Sequence, residues 1–149
     1  MSIINKNLIL FVEDSEEDFL TVTRAFKKSG MKNNLFRVKT GDEALDYLYN
    51  RDKYQSLSNY PKPAIILLDL NLPGTDGREV LRTLKKDPVL KKIPVIILTT
   101  SNDNKDIEAC YNEGANSYIK KPVEFSGFVE AISRLQGFWF EISILPKNV

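Results

Sequence analysis

The sequence predicts an α/β domain with a doubly wound, five-stranded parallel sheet of strand order 2-1-3-4-5. Short apolar runs alternate five times with segments of helical periodicity, which is typical of a parallel sheet with helices on both faces. Three of the runs are apolar at every position, as expected for strands that are buried on both sides. The run at residues 35–38 alternates only partly and is predicted as an edge strand, which favours the stated order.

The predicted strands are short apolar segments that end at polar or turn-forming residues. They lie at residues 8–12, 35–38, 64–68, 95–98 and 117–119. The stretch from Arg51 to Pro63 is polar and contains a second proline at Pro61. We therefore predict a long loop before the third strand.

The predicted helices carry apolar residues at helical spacing between start and stop signals. They lie at about residues 16–29, 41–49, 77–86, 103–113 and 125–136. Ser15 is a candidate N-cap, and the three acidic residues after it complement the positive end of the helix dipole. Gly30 and Gly114 follow the first and fourth helices as stop signals.

Length and composition are those of one ordinary globular domain. The chain has 149 residues, of which 42% are hydrophobic and 28% are charged, and such a chain can bury a core without disulfides. We predict a single domain over residues 1–149, with a core at about 6–136 and an apolar C-terminal extension at 137–149. The net charge of +1 provides no field that would attract nucleic acid or an anionic membrane. No apolar run approaches the roughly 20 residues of a membrane helix, and no secretory signal precedes the first strand, so we expect a cytoplasmic protein.

Histidine is absent, and Cys110 is the single cysteine. The sequence therefore excludes a Ser-His-Asp triad, a histidine-ligated zinc site and an internal disulfide. Carboxylates, hydroxyls, amides and lysines remain for polar chemistry, and the oxygen ligands among them favour a hard cation such as Mg²⁺.

Polar residues follow four of the predicted strands. Glu13 and Asp14 follow the first strand, Asp69 the third, Thr99 the fourth and Lys121 the fifth. Ligands of such sheets bind beyond the carboxyl ends of the strands, where the strand order reverses. Three close carboxylates repel one another, and a Mg²⁺ ion together with the lysine would balance their charge. An oxygen-lined site beside a lysine and a threonine hydroxyl indicates a site for a phosphoryl group.

This set of residues resembles the receiver domain of bacterial two-component response regulators, from about Lys6 to Gln136. The resemblance implies a flavodoxin-like receiver fold in which Asp69 is the phosphoacceptor, a carboxylate nucleophile that forms an aspartyl phosphate. It implies a Mg²⁺ site made by Glu13, Asp14, Asp69 and the backbone carbonyl of Asn71. The phosphoryl donor would be a sensor histidine kinase, because the chain has no histidine of its own.

The same resemblance assigns supporting roles around the phosphoacceptor. Lys121 and Thr99 would stabilise the phosphoryl group, and Thr99 together with Tyr118 would form a conformational switch. The peptide bond between Lys121 and Pro122 is expected to be cis. The positions that tune dephosphorylation in the family are Asn71 and Ser101.

Several of these residues also have a plain structural interpretation. Asp69 could cap the turn that follows it, and Glu13 with Asp14 could simply complement a helix dipole. Their combination with the lysine and the threonine favours the functional interpretation. The acidic run at residues 16–18 is interpreted as helix-start charge only.

The residues after the fifth helix, 138–145, are too apolar for a solvated tail. They could fold back on their own domain or form a subunit interface, since exposed aromatic patches mark association sites. This ending, the loop at 51–63 and the Phe-Val-Glu-Asp-Ser start resemble single-domain regulators that pair with cyanobacterial phytochrome histidine kinases. The resemblance implies a phytochrome-type kinase as donor, signalling through protein–protein contacts and a homodimer. The interface of that homodimer is predicted at Phe138, Trp139, Phe140 and Ile142.

Three other functions use the same fold or the same chemistry. A phosphohydrolase with an aspartyl nucleophile would need a second aspartate two residues after Asp69 as general acid, and that position is Asn71. A flavin binder would need hydroxyls and amides after the first strand, where the acidic run at 13–18 would repel a phosphate. A scaffold without phosphorylation is disfavoured by the complete set of site residues. We therefore favour a signalling switch over an enzyme with turnover.

Overall fold

A computed structural model describes residues 4–148 of the chain. Five strands form one sheet: β1 (Ile4–Val12), β2 (Asn34–Val38), β3 (Lys62–Leu68), β4 (Val95–Thr99) and β5 (Ser117–Lys120). In space they follow the order β2-β1-β3-β4-β5, and every neighbouring pair is parallel. The predicted sheet is confirmed, including the place of β2 at its edge.

Five helices alternate with the strands: α1 (Glu16–Lys28), α2 (Gly41–Leu48), α3 (Gly77–Lys86), α4 (Asn104–Asn112) and α5 (Phe125–Gln136). The hydroxyl of Ser15 accepts the amide of Asp18 at 3.2 Å, so the predicted N-cap of α1 is present. Asp103 caps α4 in the same way, because its carboxylate accepts the amide of Lys105 at 2.8 Å. Local start signals thus determine where these helices begin.

The sheet separates two apolar cores, because side chains alternate between its faces along each strand. On β1, Ile9 and Phe11 belong to the core under α1 and α5. Leu10 and Val12 belong to the opposite core, under α2, α3 and α4. Strand residues that are buried on both faces therefore hold the carboxyl edge of the sheet in place.

The first strand begins earlier than predicted, at Ile4 instead of residue 8. Its added residues pair with the start of β3, with a register irregularity between Asn5 and Ile9. The amide of Ile4 also donates to the carbonyl of Lys147 at 3.1 Å. These partners are distant in sequence, so no local pattern indicates them.

The predicted loop at residues 51–63 is more ordered than its composition suggests. It contains a short 3₁₀ helix at Asp52–Tyr54, and its last residues, Lys62 and Pro63, already belong to β3. Lys62 is buried, and its ammonium donates to the carbonyl of Leu48 at the end of α2. This buried contact fixes the entry into β3, although the lysine and the proline are unusual residues for a strand.

The C-terminal extension begins with a wide helical turn of the π type, Gly137–Ile142. Trp139 and Phe140 pack against the domain, whereas Phe138 is 52% and Ile142 is 74% exposed. Folding back on the domain therefore accounts for half of the residues that were predicted at an interface. Within residues 4–148, no helix is long and apolar enough to cross a membrane.

Candidate functional site

The residues predicted to form a site meet at the carboxyl edge of the sheet. The amides of Glu13 and Asp69 donate to backbone carbonyls of neighbouring strands at 3.0 and 3.1 Å, so both acids continue the strand ladders. The amide of Lys121 donates to the carbonyl of Thr99 at 2.7 Å. All four residues are buried, which is unusual for polar residues that have no structural or chemical task.

The ammonium of Lys121 is the centre of the cluster. It lies 2.6 Å from a carboxylate oxygen of Glu13, 2.8 Å from one of Asp18 and 3.1 Å from one of Asp69. Such charge-assisted hydrogen bonds are stronger than neutral ones. The structure thus brings the lysine to the predicted phosphoacceptor and to the first residue of the acidic pair.

Asp18 is a site residue that the sequence interpretation missed, since the acidic run at 16–18 was assigned to helix-start charge. A signal was present in the sequence. Asp18 precedes Val22 by four residues, and Val22, Ala25 and Phe26 are the buried residues of α1. Asp18 therefore extends the inward face of the helix by one turn, where a carboxylate needs a partner such as Lys121.

The charges of the cluster alter the protonation of its members. Burial raises the pKa of Glu13 to about 7, even though the hydrogen bond and the charge of Lys121 lower it. Burial by itself would lower the pKa of Lys121, but its hydrogen bonds to Asp18 and Glu13 and the charge of Asp69 raise it above its ordinary value. One ammonium among three carboxylates leaves an excess of negative charge, which a proton on Glu13 or a bound cation offsets.

The acidic cluster also offers ligands for a metal ion. Glu13, Asp14 and Asp69 each provide a carboxylate oxygen, and these oxygens lie within 4.8 Å of one another. Asp14 is the exposed member of the three. The backbone amide of Asn71 donates to Asp69 Oδ1 at 3.2 Å, which places Asn71 beside the cluster. Metal binding by the backbone carbonyl of Asn71 stays a prediction. An all-oxygen set of this kind fits a hard divalent cation.

Thr99 contributes a hydroxyl that is buried and unsatisfied. Its side-chain oxygen has no hydrogen-bond partner within the described part of the chain, and the residue is fully buried. Buried polar atoms are rarely left without a partner, because the loss of hydration is costly. A ligand oxygen in the site would satisfy this hydroxyl.

Tyr118 and Ser101 form a chain of contacts beside the site. Tyr118 is half-buried and donates its hydroxyl to the carbonyl of Ser101 at 2.8 Å. The hydroxyl of Ser101 donates to Asp106 at 2.8 Å, and Asp106 forms an ion pair with Arg78 at 2.8 Å. The loop after β4 is therefore tied to β5, α4 and α3, while the predicted switching and tuning roles stay predictions.

The expectation of a cis bond before Pro122 is wrong. Residues 4–148 contain no cis peptide bond, so the bond from Lys121 to Pro122 is trans. The two isomers of a bond to proline differ by only about 0.5–1 kcal/mol, and residue type alone does not select between them. The ammonium of Lys121 reaches its three carboxylates with the bond in the trans form.

Arg37 on β2 fixes the acidic turn, which sequence reasoning did not predict. Its Nε donates to the carbonyl of Glu13 at 2.9 Å, and its Nη1 lies 2.6 Å from Glu16. Its guanidinium also stacks 4.5 Å from the ring centroid of Phe19. The sequence indicates these contacts of Arg37 only weakly, through a charged residue in the partly alternating run of the predicted edge strand.

Gly77 allows α3 to approach the backbone after Asp69. A Cβ atom at Gly77 would lie 2.2 Å from the carbonyl oxygen of Asp69 and 2.7 Å from the Cα of Leu70. The amide of Gly77 donates to the carbonyl of Leu70 at 3.1 Å. Because both clashes are with backbone atoms, only glycine fits this position, and the position of Asp69 depends on it.

Comparison with known proteins relates this site to a family. A sequence profile of the response regulator receiver domain matches residues 9–133. Response regulator Rcp1 of Synechocystis sp. is 39% identical over 139 residues, which cover 93% of this chain and 92% of Rcp1. The crystal structure of the Mn²⁺-bound form of Rcp1 has a TM-score of 0.85 at 38% identity and covers 94% of this chain and 99% of that chain.

Two further solved structures are similar over nearly the whole chain. The phosphorylated cyanobacterial phytochrome response regulator RcpA has a TM-score of 0.86 at 38% identity, covering 94% of this chain and 98% of RcpA. A response regulator in red light signaling of R. palustris has a TM-score of 0.90 at 38% identity, covering 95% of this chain and 99% of that chain.

The profile match, the identities and the fold agree with one another. The acidic cluster together with the Mn²⁺-bound relative indicates a divalent metal site. The chain is related to phytochrome response regulators, and it belongs to the response regulator receiver domain family of two-component systems.

Proposed function

We propose that the protein is a stand-alone response regulator, which accepts a phosphoryl group on Asp69 from a sensor histidine kinase and signals through protein–protein contacts. One observation carries the proposal. The carboxylate of Asp69 lies 3.1 Å from the buried ammonium of Lys121, within a cluster of three acids whose oxygens could share a cation. A nucleophile, a positive charge and a metal site thus stand together.

In the proposed reaction, a carboxylate oxygen of Asp69 attacks the phosphorus of a phosphohistidine in the kinase. A P–O bond forms, the P–N bond breaks, and the histidine nitrogen keeps the electron pair. Lys121 and the hydroxyl of Thr99 bind the phosphoryl oxygens as charge develops. In the return reaction water attacks the phosphorus, inorganic phosphate leaves, and the carboxylate of Asp69 is restored.

We propose Mg²⁺ as the resident cation, since it prefers oxygen ligands and binds through few carboxylates. Glu13, Asp14, Asp69 and the carbonyl of Asn71 would hold it. A bound Mg²⁺ would supply positive charge that offsets the negative charge of the phosphoryl oxygens.

The proposed output begins at Thr99 and Tyr118. When the hydroxyl of Thr99 turns to a phosphoryl oxygen, the loop that follows β4 moves with it. Tyr118 donates to the carbonyl of Ser101 in that loop, so a shift of the loop alters this contact and with it the surface of the domain. Asn71 and Ser101 would adjust the rate at which water reaches the phosphoryl group.

Intact mass spectrometry after incubation with Mg²⁺ and acetyl phosphate tests the acceptor. We expect the mass of one phosphoryl group on the native chain and none on Asp69→Asn. Asp52→Asn is a matched control, because it makes the same chemical change at an exposed loop position whose positive φ asparagine accepts. Equal labelling of Asp69→Asn and the native chain would show that the acceptor lies elsewhere.

The similarity to a phytochrome regulator and to a regulator of red light signaling supports a phytochrome-type kinase as donor. Transfer from an autophosphorylated bacterial phytochrome kinase is expected to be faster than transfer from a kinase without a phytochrome sensor. Equal transfer rates from both would contradict the assignment.

We also propose that the protein is a homodimer that uses the C-terminal extension. Phe138 and Ile142 support this, because both are exposed apolar side chains, whereas Trp139 and Phe140 pack against the domain. Light scattering with and without beryllofluoride, a phosphoryl mimic, measures the mass. A monomer in both conditions at micromolar concentration would refute it.

A further inference from the structure

We infer that Asp18 is a positioning residue that holds Lys121 in the unphosphorylated protein and competes with the phosphoryl group for it. The inference rests on the proposed function, because it concerns how Lys121 becomes available to a phosphoryl group on Asp69. The position of Asp18 at the start of α1 explains why its backbone amide bonds to the hydroxyl of Ser15. It does not explain why its carboxylate pairs with Lys121, which follows the edge strand β5.

All hydrogen-bond donors of Lys121 are in use. An ammonium group has three N–H bonds, and the structure gives three carboxylate partners at 2.6, 2.8 and 3.1 Å, on Glu13, Asp18 and Asp69. When a phosphoryl group is attached to Asp69, its oxygens require donors from the same ammonium. At least one of the present contacts must then weaken or break.

Exposure identifies the contact that is easiest to lose. The side chain of Glu13 is 0% exposed, that of Asp69 is 8% exposed and that of Asp18 is 37% exposed. Release of Glu13 would leave a fully buried carboxyl group without the hydrogen bond from Lys121, which costs more than the same loss at a group that water can reach. The contact with Asp69 passes to the phosphoryl group that this residue carries. Asp18 can exchange the lysine for water at small cost, since a third of its side chain already reaches solvent.

Charge favours the same order of events. Phosphorylation replaces the single negative charge of the Asp69 carboxylate with about two on the acyl phosphate, in a cluster that already holds more acid than base. A carboxylate of Asp18 beside it adds like-charge repulsion, and rotation of Asp18 into water relieves that repulsion. The backbone of Asp18 need not move, because its amide is bonded to the hydroxyl of Ser15 at 3.2 Å. The unphosphorylated state is therefore stabilised by an ion pair that phosphorylation replaces.

Asp18→Asn removes the competing charge and keeps the size of the side chain and the amide that bonds to Ser15. Phosphorylation is measured by mass spectrometry as a function of acetyl phosphate concentration, at saturating Mg²⁺. In this reaction the P–O bond to the acetyl group breaks, acetate leaves, and a new P–O bond forms at Asp69. The equilibrium affinity for beryllofluoride gives a second readout that does not depend on the rate of the chemical step.

We expect Asp18→Asn to raise the labelling rate at low donor concentration by about threefold to fivefold, the size of one partly exposed charge pair. The affinity for beryllofluoride should rise by a similar factor. Glu17→Gln is the matched control, since it removes the same charge from the preceding residue of the same helix end, where the side chain is exposed and makes no ion pair within residues 4–148. The control should change both quantities by less than about twofold, because an exposed charge is screened by solvent and salt.

The outcomes separate this inference from the proposed function. If the native chain takes up no phosphoryl group, the proposed function fails and this inference fails with it. If the native chain is labelled but Asp18→Asn behaves like Glu17→Gln, or is labelled more slowly than the native chain, only the role of Asp18 is wrong.

Discussion

The buried carboxyl of Glu13 should impose a pH dependence on the stability of the metal-free protein, and Glu13→Gln should remove it. Burial raises the pKa of Glu13 from 4.5 to about 7 in the folded state, whereas the unfolded chain leaves the group in water. The folded state then binds the proton more tightly than the unfolded state. The resulting stabilisation is fully present below pH 4.5 and is lost as the pH rises through about 7. At 1.36 kcal/mol per pKa unit, the shift corresponds to roughly 3 kcal/mol.

Urea unfolding in EDTA between pH 4.5 and 8 measures this effect. The free energy of unfolding of the native chain, minus that of Glu13→Gln, should fall by roughly 3 kcal/mol across the range. Glu17→Gln provides the control, because Glu17 is exposed and its substitution should leave the pH profile of the native chain almost unchanged.

A difference that stays constant with pH would show that folding leaves the pKa of Glu13 unchanged. A difference that grows with pH would show that its ionised form is the stabilised one, with Lys121 outweighing burial. Either result would refute the reasoning that burial dominates at this carboxyl.

Two further substitutions test the supports of the site. Gly77→Ala places a Cβ 2.2 Å from a backbone carbonyl oxygen of the turn after β3, and the overpacking should lower the free energy of unfolding by about 1–3 kcal/mol. Gly137 has helical backbone angles and no atom within 4 Å of its Cβ position, so Gly137→Ala should raise the free energy of unfolding by about 0.4–1 kcal/mol. Equal stability of the two variants would contradict the close approach. Arg37→Gln removes the donor to the carbonyl of Glu13 and should lower the free energy of unfolding by about 1–2 kcal/mol. Arg24 is exposed, so Arg24→Gln should change the free energy of unfolding by less than about 0.5 kcal/mol. A similar loss in both variants would mean that the contacts of Arg37 contribute little.

Patterns that act over short distances could be predicted from the sequence. The fully apolar runs indicate buried strands, and the N-cap at Ser15 indicates where α1 begins, because both effects are local. The convergence of Glu13, Asp69 and Lys121 could be predicted as well, since parallel strands place their carboxyl ends at one edge.

Contacts between distant segments could not be predicted in this way. The spacing of Asp18 from Val22 places it on the inward face of α1, but its partner Lys121 lies 103 residues further along the chain, and no local pattern indicates that partner. The amide of Ile4, at the start of β1, donates to the carbonyl of Lys147, which lies at the other end of the chain. The isomer of the bond before Pro122 depends on its tertiary surroundings, because the intrinsic preference is small.

The two cores on either side of the sheet have a consequence for how the sequence can change. They share none of their buried residues, so substitutions on opposite faces should act independently of each other. Phe140 and Leu145 of the C-terminal extension are partly buried against both cores, at the far end of the sheet from the acidic cluster. Substitutions can therefore accumulate in one core independently of the other, whereas residues at these two positions must pack against both cores.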